Sequence, residues 1–217
     1  MAVIVIGNGP SSIKYTTENL GNHALIGCNS AYQDYDLNHL VVRDQLAVEQ
    51  ISQQEGLPKK CWSTPRWIIE QGLEATWSVL PDTIKLSNAG ACAIMLADFL
   101  YPKQQVFCIG FDLVMHLKAS TTRYDYPHMK DTKRNKAKAK YQRDRVDRAV
   151  EACKTTQPLF VNDQTIEGLP TINTDVFEKE ILGWSNTSDS EEQDFQTGGG
   201  ELKVTPIPSE DTSLTDG

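Results

Sequence analysis

The residues best suited to chemistry in this 217-residue chain stand directly behind short apolar runs. Ala2–Ile6 ends in Gly7-Asn8-Gly9-Pro10-Ser11-Ser12, His23–Cys28 ends in Asn29, His39–Val42 ends in Arg43-Asp44, and Gln105–Ile109 ends in Gly110-Phe111-Asp112. A fifth polar group, Ser87-Asn88-Ala89-Gly90, precedes the apolar run Ala91–Leu100. Glycines let backbone approach a ligand closely, and helix starts present free N–H groups to anions. Polar side chains gathered at several strand ends are what a nucleotide site requires. Neither common phosphate motif is intact, because GNGPSS is not G-x-G-x-x-G and no G-x-x-x-x-G-K-[ST] occurs.

The elements that must position these groups follow from the same runs. A Val/Ile-rich run bounded by glycine reads as a buried parallel strand. Strands are expected at Ala2–Ile6, His23–Cys28, His39–Val42, around Lys60–Trp62, at Thr83–Leu86, Gln105–Ile109 and Leu159–Val161. Helices are expected over Gln45–Gln54, stopped at Gly56-Leu57-Pro58, over Ala91–Leu100, stopped at Tyr101-Pro102, and over the charged stretch Lys133–Cys153. Alternation of strands and helices indicates an α/β fold, a Rossmann-like three-layer sandwich with a mostly parallel sheet. Lys59–Pro81, with Trp62, Trp67 and Trp77 and with Pro58, Pro65 and Pro81 in or beside it, reads as an irregular insertion over the sheet edge whose tryptophans pack in the core by default, an acceptor-binding lid being the alternative. His23 and His39 fall at strand starts, the opposite end from the polar groups, and read as structural.

The formal charge of −8 is unevenly spread. Lys118 to Arg148 holds 11 basic and 4 acidic residues, whereas residues 185–217 hold 1 basic and 8 acidic. The basic stretch reads first as a solvated helical face with pairs such as Asp144–Arg148, and polyanion binding by Lys118–Arg148 is the functional alternative. The tail is rich in Ser, Thr, Asp, Glu and Gly, cannot bury enough apolar surface to offset chain entropy, and is expected to be disordered. The domain reading is therefore 1–184 for the fold and 185–217 for an acidic tail. Five cysteines without a CxxC spacing argue against a disulfide framework or zinc site and fit a reducing cytoplasm. No 18-residue apolar window marks a membrane span, and MAVIVIGNGP lacks the basic region of a signal peptide. No metal set is marked. No paired acidic motif ends a strand, and Asp44 alone is more often a loop cap than a ligand.

VIVIGNGPSS, ALIGCNSAY and SNAGACAIMLADFLYPKQQVFCIGFD together resemble the Rossmann-like sialyltransferases of bacteria. The same pattern runs through a wider set that includes archaeal pterin pyrophosphokinase-like proteins and phage-encoded proteins. The resemblance covers about residues 3–112. It implies that Asn8, Gly9 and Ser11 contact the phosphate and ribose of a bound nucleotide, by analogy CMP. Asn29 would bond near the phosphate, and Ser87 and Gly90 would face the cytidine, although Asn88-Ala89 loosens that second motif. Asp112 would hold local structure. His128, in Tyr124-Asp125-Tyr126-Pro127-His128, would be the general base, with Tyr124 and Tyr126 donating to the leaving phosphate and His116 the weaker candidate. The implied substrate is a CMP-sugar donor, with no resident cofactor, the need for a divalent metal open and the acceptor unspecified. A catalytically silent, phage-encoded relative that binds a nucleotide or a protein partner is the alternative. A pyrophosphokinase-like enzyme is a second, disfavoured by the scarcity of carboxylates at the strand ends.

Overall fold

A computed structural model describes residues 1–84, 88–112 and 133–184. Eight strands form one sheet: β1 (Val3–Ile6), β2 (Ala24–Cys28), β3 (His39–Val41), β4 (Cys61–Ser63), β5 (Trp77–Val79), β6 (Val106–Ile109), β7 (Leu159–Val161) and β8 (Thr171–Ile172). Their order is β5-β4-β3-β2-β1-β6-β7-β8, and every adjacent pair is parallel. The chain builds outward from β1 to β5, then returns across to β6 on the other side of β1. That reversal leaves a crevice at the carboxyl ends of β1 and β6, where open α/β sheets take their ligands.

The central strands are apolar throughout because both faces are covered. Val3 and Val5 of β1, Ile26 of β2 and Cys108 of β6 face α3 (Ala89–Leu100) and α4 (Lys133–Ala152). Ile4, Ile6, Leu25, Leu40 and Phe107 face the other layer, which holds α1 (Gln45–Ser52), α2 (Pro65–Glu70) and Phe177. Each wholly buried side chain of this kind contributes roughly 1.5–3 kcal/mol. α3 is buried nearly all round and has an almost continuous apolar sequence, as expected for a helix between a sheet and a second helix. α4 reaches this core through Val146 and Ala149.

The order β1 to β4, β6, β7 and the three longer helices agree with expectation within a few residues. Two regions differ. Lys59–Pro81 is not an irregular insertion: it contributes β4, α2 and β5, and so extends the sheet by two strands. Trp62 and Trp77 point into opposite core layers and are buried, so core packing holds for both. Thr83 and Ile84 do not form a strand. The Ile84 amide instead bonds the Pro81 carbonyl in a turn, and Lys85 and Leu86 lie outside the described residues. The acidic tail, residues 185–217, also lies outside them. Among the described residues no helix is long and apolar enough to cross a membrane.

Cys28, Cys61, Cys92 and Cys108 are buried free thiols and Cys153 is partly buried. Burial pushes the Cys28 thiol up to about 12 and the Cys61 thiol up to about 11, so both are held as neutral apolar groups.

Candidate functional site

The loop after β1 is tied to the loop after β6 by nearly every group it has. The Gly7 amide bonds the Ile109 carbonyl at 2.8 Å and the Gly9 amide bonds the Gly110 carbonyl at 2.7 Å. The Ser11 amide and hydroxyl both donate to Asp112 Oδ2, at 3.1 and 2.8 Å, and the Ser11 hydroxyl accepts from the Gly110 amide at 3.2 Å. Ser12 is wholly buried; its amide and hydroxyl both bond the Gly9 carbonyl, and Tyr35 donates to the Ser12 carbonyl at 2.7 Å. This closeness requires glycine. A Cβ on Gly9 would sit 1.9 Å from Asp112 Oδ2, and Gly110 adopts φ +71° with room for a Cβ only 2.6 Å from the Gly7 carbonyl oxygen. Asp112 is therefore a clamp, in agreement with a structural role.

A different chemistry occupies the strand ends on the other side. Asn8 follows β1, Asn29 follows β2, Arg43 follows β3 and Thr64 follows β4. Each is half-buried, and each has a fully shielded polar atom without a hydrogen-bond partner among the described residues: Asn8 Oδ1, Asn29 Oδ1, Arg43 Nε and Thr64 Oγ1. The ladder places them in a row. Ile6 pairs Gly27, so continuing that register sets Asn8 beside Asn29; Val41 pairs Trp62, which sets Arg43 beside Thr64. A buried polar atom left unpaired costs about 1–3 kcal/mol, so four at neighbouring strand ends mark a surface built for a ligand's polar groups. Asn29 adds backbone evidence. It sits at φ +49°, a conformation that asparagine tolerates better than most residues and that recurs at functional sites.

Other sequence candidates divide as follows. Gly90 is buried in the first turn of α3, beside the ring of Phe111. The intervening Asn88 has its own duty: its side chain caps α3 by accepting from the Ala91 amide at 2.7 Å, and its amide nitrogen donates to Gln142 of α4. Asp44 caps α1 by accepting from the Ala47 amide at 3.2 Å, the loop-cap role expected of it. Ser87, His116, Tyr124, Tyr126 and His128 lie outside the described residues. Of the basic stretch, residues 118–132 lie outside as well; within α4, Asp144 pairs Arg148 at 3.3 Å on the solvated face, as expected, whereas Arg143, which pairs Asp147 at 2.7 Å, is largely buried. Thr64 was not singled out by sequence reasoning. The Ser63-Thr64-Pro65 run that carries it reads as a helix start, and Thr64 does precede α2, yet its hydroxyl makes no capping bond.

Both histidines at the amino edge are fully occupied. The Ala2 amide donates to His23 Nδ1 at 3.1 Å, which leaves His23 Nε2 to donate to the Ile181 carbonyl at 3.3 Å. The Trp62 indole donates to His39 Nδ1 at 3.2 Å, and His39 Nε2 meets the Tyr101 hydroxyl at 3.0 Å. Burial first, then Lys60, lowers the His39 pKa and keeps it neutral.

A cleft of about 480 Å³ opens on the far side of the β1 loop, lined among others by Ser11, Lys14, Tyr15, Asp112, Asn162 and Asp163. None of Asn8, Asn29, Arg43 or Thr64 lines it. Two regions of different character thus flank the loop: a cleft beyond β6 and β7 whose lining carries both Lys14 and the carboxylates of Asp112 and Asp163, and the row beyond β1 to β4 whose shielded atoms have no partner among the described residues.

No family model and no curated protein matches this chain. Among solved structures, the sialyltransferase CstII of Campylobacter jejuni, in complex with the substrate analogue CMP-3FNeuAc, is 19% identical with a TM-score of 0.41, the match covering 69% of this chain and 75% of that one. A point mutant of alpha-2,3/8-sialyltransferase CstII is 17% identical with a TM-score of 0.42, covering 70% of this chain and 76% of that one.

Proposed function

We propose that this protein binds a nucleotide across the carboxyl ends of β1 to β4 and transfers a sugar from it, the donor being a CMP-sugar. The observation that carries this reading is the row Asn8, Asn29, Arg43 and Thr64, whose shielded polar atoms lack partners among the described residues. The resemblance of the GNGPSS and Cys28-Asn29 motifs to bacterial sialyltransferases supplies the reaction class. Asn8 and Asn29 hold the nucleotide by their side-chain amides. By the same resemblance, Ser87 and Gly90 face the cytidine. Gly9 and Ser11 serve the site by fixing where Asn8 stands.

In the transfer, the acceptor hydroxyl oxygen attacks the anomeric carbon. The bond from that carbon to the phosphate oxygen breaks, its electron pair leaves with CMP, and His128 takes the hydroxyl proton. Tyr124 and Tyr126 donate to the phosphate as it departs. Turnover is read as CMP released from a CMP-sugar. The expectation is that His128→Asn lowers that release about a hundredfold or more while leaving CMP affinity intact, since general-base catalysis supplies roughly 10²–10⁴ in rate. Equal release by wild type and His128→Asn would remove His128 from the mechanism. No release together with no CMP binding would remove the function.

A further inference from the structure

The loop after β1 is poorly supplied for an anion. The amides of Gly7, Gly9, Ser11 and Ser12 are all engaged within the fold, and Pro10 has no N–H. The Asn8 amide is the one N–H of residues 7–12 without a bond among the described residues, so a phosphate seeking a second donor from that loop would have to displace a bond of the fold. The row of unpartnered groups, in contrast, contains a cation. Arg43 is half-buried, its Nε is fully shielded, and it has neither a hydrogen bond nor an ion pair among the described residues. The adjacent carboxylate, Asp44, is exposed and caps α1 through Oδ1, and it makes no ion pair with Arg43. The ends of β3 and β4 are pinned together by the Ser63 hydroxyl on the Val42 carbonyl at 2.7 Å and the Val42 amide on the Trp62 carbonyl at 2.9 Å. That pairing holds Arg43 and Thr64 side by side at neighbouring strand ends.

An unpaired guanidinium held out of bulk water is unfavourable until an anion joins it, and its planar fork matches two oxygens of a phosphate. A threonine hydroxyl beside it supplies a further donor. We propose that Arg43, assisted by Thr64, is the residue that recognises the phosphate of the bound nucleotide, and that the glycine loop after β1 is a scaffold rather than a phosphate cradle. This rests on the nucleotide reading above and names the residues that meet its charge.

The test compares CMP with cytidine, which lacks the phosphate, by calorimetric titration of wild type, Arg43→Met, Arg43→Lys and Thr64→Val. Wild type should favour CMP by about thirtyfold, the size of a charge-assisted bond to a phosphate. Arg43→Met should lose that preference and keep its cytidine affinity, Arg43→Lys should keep part of it, and Thr64→Val should weaken CMP about fivefold. The ligand-free melting temperature of Arg43→Met should match or exceed that of wild type, because the guanidinium has no partner among the described residues to lose. An unchanged CMP-to-cytidine ratio in Arg43→Met overturns the proposal, as does a large fall in its ligand-free melting temperature with the ratio intact. If wild type binds neither compound, the nucleotide reading fails on its own, and inorganic phosphate becomes the probe. A phosphate-induced rise in melting temperature that Arg43→Met abolishes would uphold the anion subsite without the nucleotide; no rise in wild type would overturn it.

Discussion

The two edges of the sheet are built on opposite terms. At the amino edge both histidines are matched, His23 lying between the Ala2 amide and the Ile181 carbonyl and His39 between Trp62 and Tyr101, and Gln104 Oε1 is the exception, shielded and without a partner among the described residues. At the carboxyl edge Asn8, Asn29, Arg43 and Thr64 each keep a shielded atom unmatched among the described residues. A chain folding for stability alone would not leave four such atoms on neighbouring strands, since each lowers stability by about 1–3 kcal/mol. The amino edge is where the fold is secured, and the carboxyl edge is where it is left open for something else. Between them, the Gly9–Ser11–Asp112 clamp belongs in character to the secured edge although it stands at the open one.

The largest effect is expected where the clamp is broken. Gly9→Ala forces a methyl against Asp112 Oδ2 and the Gly110 carbonyl, 1.9 and 2.7 Å away, so two loops must separate. Denaturant unfolding should show a loss of about 3 kcal/mol, at the upper end of overpacking effects. Asp112→Ala comes next. It strands the Ser11 amide and hydroxyl, which should cost about 2 kcal/mol and release the loop without filling any space. A clamp variant that unfolds no more easily than wild type would erase the distinction between scaffold and site.

The amino edge offers a pH signature. The His39 pKa is lowered from 6.5 by burial and by Lys60, so the unfolded chain takes up a proton before the folded one does. The stabilisation from keeping His39 neutral is present above pH 6.5 and is lost as the pH falls from there through the lowered folded value. His39→Phe should flatten the acid limb of the stability profile over that window, and an unchanged limb would show that His39 is not held neutral by its surroundings. The smallest effect belongs to the open edge. Asn29→Gly keeps the φ of +49° that alanine would strain, and removes a side chain whose oxygen has no partner. Ligand-free stability should move by no more than about 0.5 kcal/mol.

Much of the architecture was legible because β1, β2, β3 and β6 are short apolar runs that stop at Gly, Asn or Arg, and because Ala91–Leu100 of α3 has no breaker. β5 and β8 were hidden for physical reasons. Trp77–Val79 is an edge strand with only Trp77 buried, and Thr171–Ile172 is two residues long, so neither carries a run or an alternation to read. The same holds at the site. Asn8 and Asn29 stand out in sequence because they interrupt apolar runs, and Arg43 because it ends one. That these three line up with Thr64 depends on strand order and register, which local pattern does not encode. The engagement of Ser11 by Asp112, about a hundred residues away, is equally invisible until the β1 and β6 ends are placed side by side.

The central claim is that the carboxyl edge is a nucleotide site whose unmatched groups the ligand completes. Calorimetric titration of CMP into wild type, Asn8→Ala and Asn29→Gly tests it most directly. Saturable binding by wild type, weakened at least tenfold in both variants while their ligand-free melting temperatures hold, is the predicted result. Absence of CMP binding by wild type, or equal affinity in all three proteins, would contradict it.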